Sequence, residues 1–276
     1  MHTLPHRYPT CPHHFSGPGV KKPPDGSVMR THFWNIRGFG QDGRRRELIE
    51  YMREERIDIV AIQKTMRTEF SHSELEPPSS HLFSWHWLPS SGTTGHSGSI
   101  LLGVKDATFE IGSMDRGEFY VSMELFEQAL NFDVIVVYGP ADHHRSTAFL
   151  EELKRKVAAA QLLMVVGGEF DLIRSEAGKS NNLVNFLRMQ MFNNCIMDLG
   201  LRELDRVGAR FAWTNRQADL TRFVLNRVLV SLEWELRCPL ALLKAITRIG
   251  SDHVPLLLSF IDDRPPQPPR FRFEIF

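Results

Sequence analysis

The sequence predicts an α/β protein, a four-layer α/β/β/α sandwich in which two mixed sheets pack face to face with helices outside. Three observations predict it. From about Val28 to Ile261, short apolar runs alternate with turn residues, the texture of a strand-rich α/β chain. The strands are of two kinds. Glu118-Phe119-Tyr120-Val121-Ser122-Met123-Glu124 alternates and suits a sheet with unlike faces, whereas Val134-Ile135-Val136-Val137 suits a strand covered on both. Between the strands lie stretches whose apolar residues recur at three and four, as on one face of a helix.

Strands are predicted over residues 31–36, 57–63, 83–88, 99–105, 119–126, 132–138, 162–166, 210–214, 224–230, 244–248 and 255–261. The first two, Thr31-His32-Phe33-Trp34-Asn35-Ile36 and the run ending Ile59-Val60-Ala61-Ile62-Gln63, are rich in β-branched and aromatic residues. Phe83-Ser84-Trp85-His86-Trp87-Leu88 alternates, and the later runs are short, apolar and bounded by Gly, Pro, Asn or Asp. Eleven strands are too many for one flat sheet, and two packed sheets with outer helices accommodate both strand types. Helices are predicted over 44–56, 146–160 and 182–198, the second capped by Ser146 or Thr147 with Glu152 in its early turns.

With 276 residues, 42% of them hydrophobic, the chain can bury one large core. Residues 1–28 form a Pro/His-rich segment expected to be flexible, 29–261 the folded domain, and 262–276 a tail in which Pro265-Pro266-Gln267-Pro268-Pro269 ends any strand. His13-His14 lack a fixed metal-ligand spacing and read as part of the flexible segment. Lys+Arg and Asp+Glu each number 33, so no global basic field draws the chain to a polyanion and any such contact is local. Cys11, Cys195 and Cys238 are odd in number and far apart, which fits a reducing compartment rather than a disulfide framework. The first residues lack the apolar core of a secretory signal, and no apolar run approaches the roughly 20 residues that span a bilayer. These features lead to the expectation of a soluble, intracellular monomer of nucleus or cytoplasm that uses no membrane.

Six motifs carry the functional reading: Trp34-Asn35-Ile36-Arg37-Gly38, Ile62-Gln63-Lys64-Thr65, Val137-Tyr138-Gly139-Pro140, Gly167-Gly168-Glu169-Phe170-Asp171, Leu225-Asn226-Arg227 and Ser251-Asp252-His253. Any one alone is weak, and Ser-Asp-His in isolation is more often a turn. In this order and spacing the chain resembles the endonuclease/exonuclease/phosphatase superfamily. More narrowly, it is similar over about 31–260 to the apurinic-type endonuclease domain of plant LINE-type (non-LTR) retrotransposons, including Phe211-Ala212-Trp213-Thr214-Asn215 and Phe271-Arg272-Phe273-Glu274.

The resemblance implies hydrolysis of a DNA phosphodiester with Mg²⁺ at the ends of two facing sheets. It places Asn35 and Asp252 on the metal side, His253 at the scissile phosphate and Tyr138 at the phosphate or leaving oxygen. Four positions depart from the pattern. Lys64 stands where the family has its metal-binding Glu, and an ammonium has donors but no acceptor. Glu169 replaces the Asp that positions the attacking water; one extra methylene displaces the carboxylate by about 1 Å, a shift that can cost about 100-fold. Asp171 replaces an Asn, exchanging a donor for an anion. Asn226 replaces the Asp that orients His253; the comparable change in a serine-protease triad costs about 10⁴.

The resemblance with its departures implies an endonuclease-like pseudoenzyme with Mg²⁺ binding weak or lost. The alternatives are a residually active Mg²⁺-dependent endonuclease and a non-catalytic DNA-binding remnant, with a phosphatase of small phosphoesters a weaker option. Lys64 is expected to pair with Asp171 or Glu169. DNA would be held through shape and backbone. His143-His144-Arg145, Lys179, Asn181 and Trp213 are candidates for that contact, and Arg44-Arg45-Arg46 reads first as a solvated helix start. Gly167-Gly168 reads as a tight turn after the 162–166 strand.

Overall fold

A computed structural model describes residues 28–79, 82–90, 98–127, 130–181, 183–209, 211, 213–214, 221–246 and 251–261. The expectations for segments 1–27 and 262–276, and those touching Asn182, Arg210, Ala212, Asn215 and 247–248, lie outside the described residues.

One seven-stranded sheet holds β1 (Met29–Asn35), β2 (Ile59–Gln63), β3 (Phe83–Leu88), β4 (Ile100–Lys105), β10 (Arg206–Val207), β14 (Leu242–Ala245) and β15 (Leu256–Phe260), in the order β10-β14-β15-β1-β2-β4-β3. A six-stranded sheet holds β5 (Glu110–Arg116), β6 (Tyr120–Glu127), β7 (Leu130–Tyr138), β8 (Leu163–Glu169), β9 (Leu201–Glu203) and β13 (Asn226–Ser231), in the order β5-β6-β7-β8-β13-β9. Both are mixed: β1–β2 and β7–β8 are parallel, and β1–β15 and β8–β13 antiparallel. A short ribbon pairs β11 (Trp213–Thr214) with β12 (Arg222–Phe223).

Three apolar layers hold these elements as the sandwich the sequence predicts. Between the sheets, Phe33, Ile59, Ala61 and Leu256 meet Val121, Met123, Val134, Val136, Val165 and Val228. Their alternation along each strand is what turns them to one face. The opposite face of the six-stranded sheet sends Ile135, Val137, Val166 and Leu229 against helices α3 (Ser146–Ala159) and α4 (Phe186–Asp198), through Phe149, Leu153, Val157, Phe192 and Cys195. The opposite face of the seven-stranded sheet sends Trp34, Val60, Ile62, Leu101 and Leu257 against α1 (Asp42–Glu54) and α2 (His72–Ser79), through Leu48, Met52 and Leu75. Helix α5 (Leu232–Arg237) places the fully buried Trp234 ring against Phe260 at one end of the inner layer. Cys195 and Cys238 are buried free thiols, and among the described residues no helix is long and apolar enough to cross a membrane.

Two local expectations are corrected. Neither Ser146 nor Thr147 caps α3. A 3₁₀ turn at His143–Arg145 precedes the helix, and the Asp142 side chain caps that turn by accepting from His144 N. Glu152 instead accepts from the backbone N–H groups of Glu118 and Phe119 at 2.7 and 2.9 Å, tying α3 to the start of β6. Gly167 and Gly168 form no turn; β8 runs through both to Glu169. A Cβ on Gly167 would meet the Phe33 ring at 2.3 Å, so this glycine lets the two sheets approach. At Gly168, φ is +136° and a Cβ would meet Val137 O at 2.2 Å.

Candidate active site

The strand directions gather the motifs. Because β15 runs antiparallel to β1, the segment Ser251-Asp252-His253 that leads into β15 arrives beside Asn35, the last residue of β1. Ser251 secures it by donating from Oγ to Asn35 O at 3.0 Å and accepting from His253 N at 3.1 Å. In the other sheet Tyr138 ends β7, Glu169 ends β8 and Asn226 begins β13. Register sets Tyr138 opposite Glu169 and Glu169 opposite Asn226, three side chains in one row. Gly139 completes the corner: its N–H donates to Glu169 O at 2.7 Å, and the Phe170 carbonyl leaves no space for a Cβ.

A cavity of about 410 Å³ opens over this row, lined by Tyr138, Glu169, Asp171 and His253, by Arg37, Lys64, Lys179 and Arg188, and by His143, Trp213 and Phe223. Three of its residues, Arg37 (φ 51°), Lys64 (φ 53°) and Asp171 (φ 53°), have left-handed backbone. Side chains with a Cβ take that conformation at a cost of about 1–2 kcal/mol each, so the strain is concentrated at the cavity. Hydrogen bonds hold two of these corners, Gly38 N to Lys64 O and Lys64 N to Ser99 O, both at 2.8 Å.

Every predicted site residue except Asn35, Asn226 and Asp252 lines the cavity, and those three bond to residues that do: Asn35 to Glu169, Asn226 to His253, and Asp252 to Arg37 and Trp213. His253, 3% exposed, lies with Nδ1 3.1 Å from Asn226 Oδ1 and 3.6 Å from Glu169 Oε2. An amide oxygen only accepts, so Nδ1 carries the proton and Nε2 is a bare acceptor in the neutral ring. Burial lowers the His253 pKa; Glu169 and Asp252 oppose this, Lys64 and Arg37 add to it, and the net shift is downward. The imidazole is therefore neutral at pH 7. Burial raises the Glu169 carboxyl against the pull of His253 and the amide of Asn35, which donates to Oε2. Burial likewise raises Asp171, to about 7, despite Lys64 and Arg188 nearby. The Tyr138 hydroxyl is pushed far up by burial and by Glu169 and Asp171.

The metal-side residues do not fit Mg²⁺. Asn35 Oδ1 accepts from Arg37 N at 3.1 Å while its amide donates to Glu169. Asp252 Oδ2 accepts from Trp213 Nε1 at 2.9 Å and from the Arg37 guanidinium in a salt bridge. Burial raises Asp252, but His253, Arg37 and Trp213 together outweigh it and hold the carboxyl below its usual range. Lys64 brings a positive charge to the same cavity, and among the described residues no three His, Cys, Asp or Glu side chains converge to hold a metal ion. The expected pairing of Lys64 with Asp171 or Glu169 does not form as a salt bridge; its ammonium acts on both from a distance.

Arg37 and Arg188 had no role assigned from sequence. Arg37 stands inside the first motif, two residues past Asn35; Arg188 is three past Asn185, whose side chain caps α4 by accepting from Arg188 N. Trp213 and Lys179, candidates for DNA contact, line the cavity, with Lys179 Nζ 5.1 Å from the Phe223 ring centroid. Asn181 is turned to Thr221. His143 lines the cavity, whereas Arg145 pairs with Glu118 and covers the Phe119 ring. Of the basic run, Arg44 donates to Arg37 O, Arg45 pairs with Asp42, and Arg46 is exposed.

No family model matches the sequence, and no curated protein matches it significantly. Solved structures do. The endonuclease domain of TRAS1, a telomere-specific non-LTR retrotransposon, is similar at TM-score 0.66 and 13% identity, covering 86% of this chain and 100% of that one. The AP endonuclease LMAP from Leishmania major is similar at 0.69 and 12%, covering 85% and 88%. The 3′-5′ exonuclease NExo from Neisseria meningitidis is similar at 0.65 and 15%, covering 84% and 99%. At these identities the likeness is one of fold: the chain shares the sandwich of these structures.

Proposed function

We propose that the chain is a DNA-binding, endonuclease-like domain of the retrotransposon type whose phosphodiester hydrolysis is impaired. One observation carries this reading. Tyr138, Glu169 and His253 line a cavity at the sheet ends, where this fold does its chemistry, while the cations Arg37 and Lys64 stand among them and Asp252 Oδ2 is paired with Arg37. A neutral His253 with a bare Nε2 accepts a proton but offers no hydrogen bond to a phosphate oxygen, so it supplies little of the charge stabilisation that the reaction needs. Burial raises both Glu169 and Asp171, Asp171 to about 7, so a smaller fraction of each is ionised and the site offers less negative charge to a cation.

Residual cleavage is the second reading, favoured by Tyr138, Glu169 and His253 sharing one cavity. Supercoiled plasmid incubated with Mg²⁺ separates the two. Nicking is expected at the same background rate for the purified chain and for His253→Ala; a clear His253-dependent rate overturns the proposal. Restoring Lys64→Glu, Glu169→Asp, Asp171→Asn and Asn226→Asp together is expected to bring nicking back. A folded but inert quadruple variant would mean that the loss lies outside these four positions. A DNA-directed role would place the protein in the nucleus or cytoplasm.

A further inference from the structure

We infer that the cavity binds the phosphodiester backbone of DNA without a divalent metal, Lys64 and Arg188 bringing the two positive charges and Arg37 neutralising Asp252 from within. The inference rests on the DNA-binding reading above and specifies how that site is charged.

In a metal-dependent site the carboxylates face the ion and the ion faces the phosphate. Here the carboxylates are turned to other partners. Asp252 is held by Arg37 and Trp213, and Glu169, 7% exposed, by the Asn35 amide with His253 close by. The guanidinium of Arg37 is planar, permanently charged and weakly hydrated, which suits it to a partly buried pair with Asp252 better than an ammonium would be. What remains available to an incoming anion is positive. Lys64 and Arg188 line the cavity, both act electrostatically on Asp171, and neither forms a salt bridge among the described residues. Lys179, by contrast, is already engaged, donating to Leu183 O and lying over the Phe223 ring.

Lys64 holds its place because the left-handed turn after β2 is pinned on both sides by backbone hydrogen bonds, and Arg188 because it lies in the capped first turn of α4. Each of them can hold one backbone phosphate through a charge-assisted contact, with little reordering of the protein. Each phosphate neutralised releases counterions, so each cation contributes about 0.9 to the slope of log K against log salt.

The test is fluorescence anisotropy of a short labelled DNA duplex titrated with the full chain over a range of salt, in Mg²⁺ and in EDTA. Affinity is expected to agree within about two-fold between the two buffers, and Lys64→Gln and Arg188→Gln are each expected to reduce the salt slope by about 0.9. Calorimetric titration of Mn²⁺ into the DNA-free chain is expected to show no saturable site. Duplex binding that requires Mg²⁺, or saturable Mn²⁺ binding at the cavity, overturns metal independence and leaves the DNA reading standing. Absence of duplex binding in both buffers overturns both. Unchanged slopes in both variants overturn the roles of Lys64 and Arg188.

Discussion

Asn226 Oδ1 lies 3.1 Å from His253 Nδ1, and Asn226 Nδ2, buried beside it, has no hydrogen-bond partner. An acid at this position would accept two bonds and stabilise an imidazolium; the amide satisfies one ring proton and leaves one of its own donors unpaired. The arrangement holds the ring in place while favouring its neutral form.

Asn226→Asp is therefore expected to raise the His253 pKa from its depressed position, because a carboxylate beside Nδ1 favours the charged ring. An NMR titration of the His253 ring resonance, assigned with His253→Gln, reads this directly. An unmoved titration would show that Asn226 does not control the protonation of His253.

Asp171 gives a pH dependence of opposite origin. Its carboxyl titrates at about 7 against an ordinary 3.8, so between these values the folded chain holds a proton that the unfolded chain has released. Stability from this group is present below 3.8, falls as pH rises to 7, and is level above. Asp171→Asn removes that loss, and the variant is expected to gain on the parent progressively from pH 4 to 7 in urea denaturation. It is also expected to bind duplex more tightly above pH 7, where the parent carries an anion between Lys64 and Arg188. A gain that is the same at all pH values argues against the raised carboxyl.

His32 is fully buried between the rings of Trp34 and Tyr51, at centroid distances of 5.9 and 5.4 Å, and neither ring nitrogen has a hydrogen bond. Burial lowers its pKa to about 3 from 6.5. Below pH 6.5 the unfolded chain takes up a proton that the folded chain refuses, so stability falls by about 1.4 kcal/mol per pH unit towards pH 3. His32→Phe keeps the packing and removes the proton. Its stability relative to the parent is expected to improve by about 2 kcal/mol between pH 7 and pH 5, measured by urea denaturation at both; no change in the difference would count against the neutral burial.

Gly168→Ala places a Cβ against Val137 O on a backbone at φ +136°. Left-handed strain and the clash together are expected to cost about 3 kcal/mol or more. A variant whose denaturation midpoint corresponds to a loss under about 1 kcal/mol would show that β8 can shift away from β7 here.

Most central strands could be read from the chain, since their patterns are local. Residues 83–88 were predicted with the boundaries of β3, and 132–138 and 99–105 to within two residues of β7 and β4. The elements that escaped lack such patterns. β5 is an exposed edge strand, β9, β10 and β12 have two or three residues and exist through their partners, and α5 has six residues, too few for a helical period. α2 contains Pro77 and Pro78, which read as breakers.

The site divides the same way. Asn35, Tyr138, Glu169, Asn226 and His253 were identifiable because each belongs to an ordered motif, and the directions of β1, β7, β8, β13 and β15 then bring them to one edge. Which charge meets which could not be read from that order. Arg37 and Asp252 are 215 residues apart, and Arg188 reaches Asp171 from the first turn of a helix on the outer face of the sandwich. Strand period and turn chemistry act over a few residues, so the chain announces them locally. The partner of a charged side chain depends on where three or four distant loops converge, and with 33 acidic and 33 basic residues to match, only the packed sheets select the pairs.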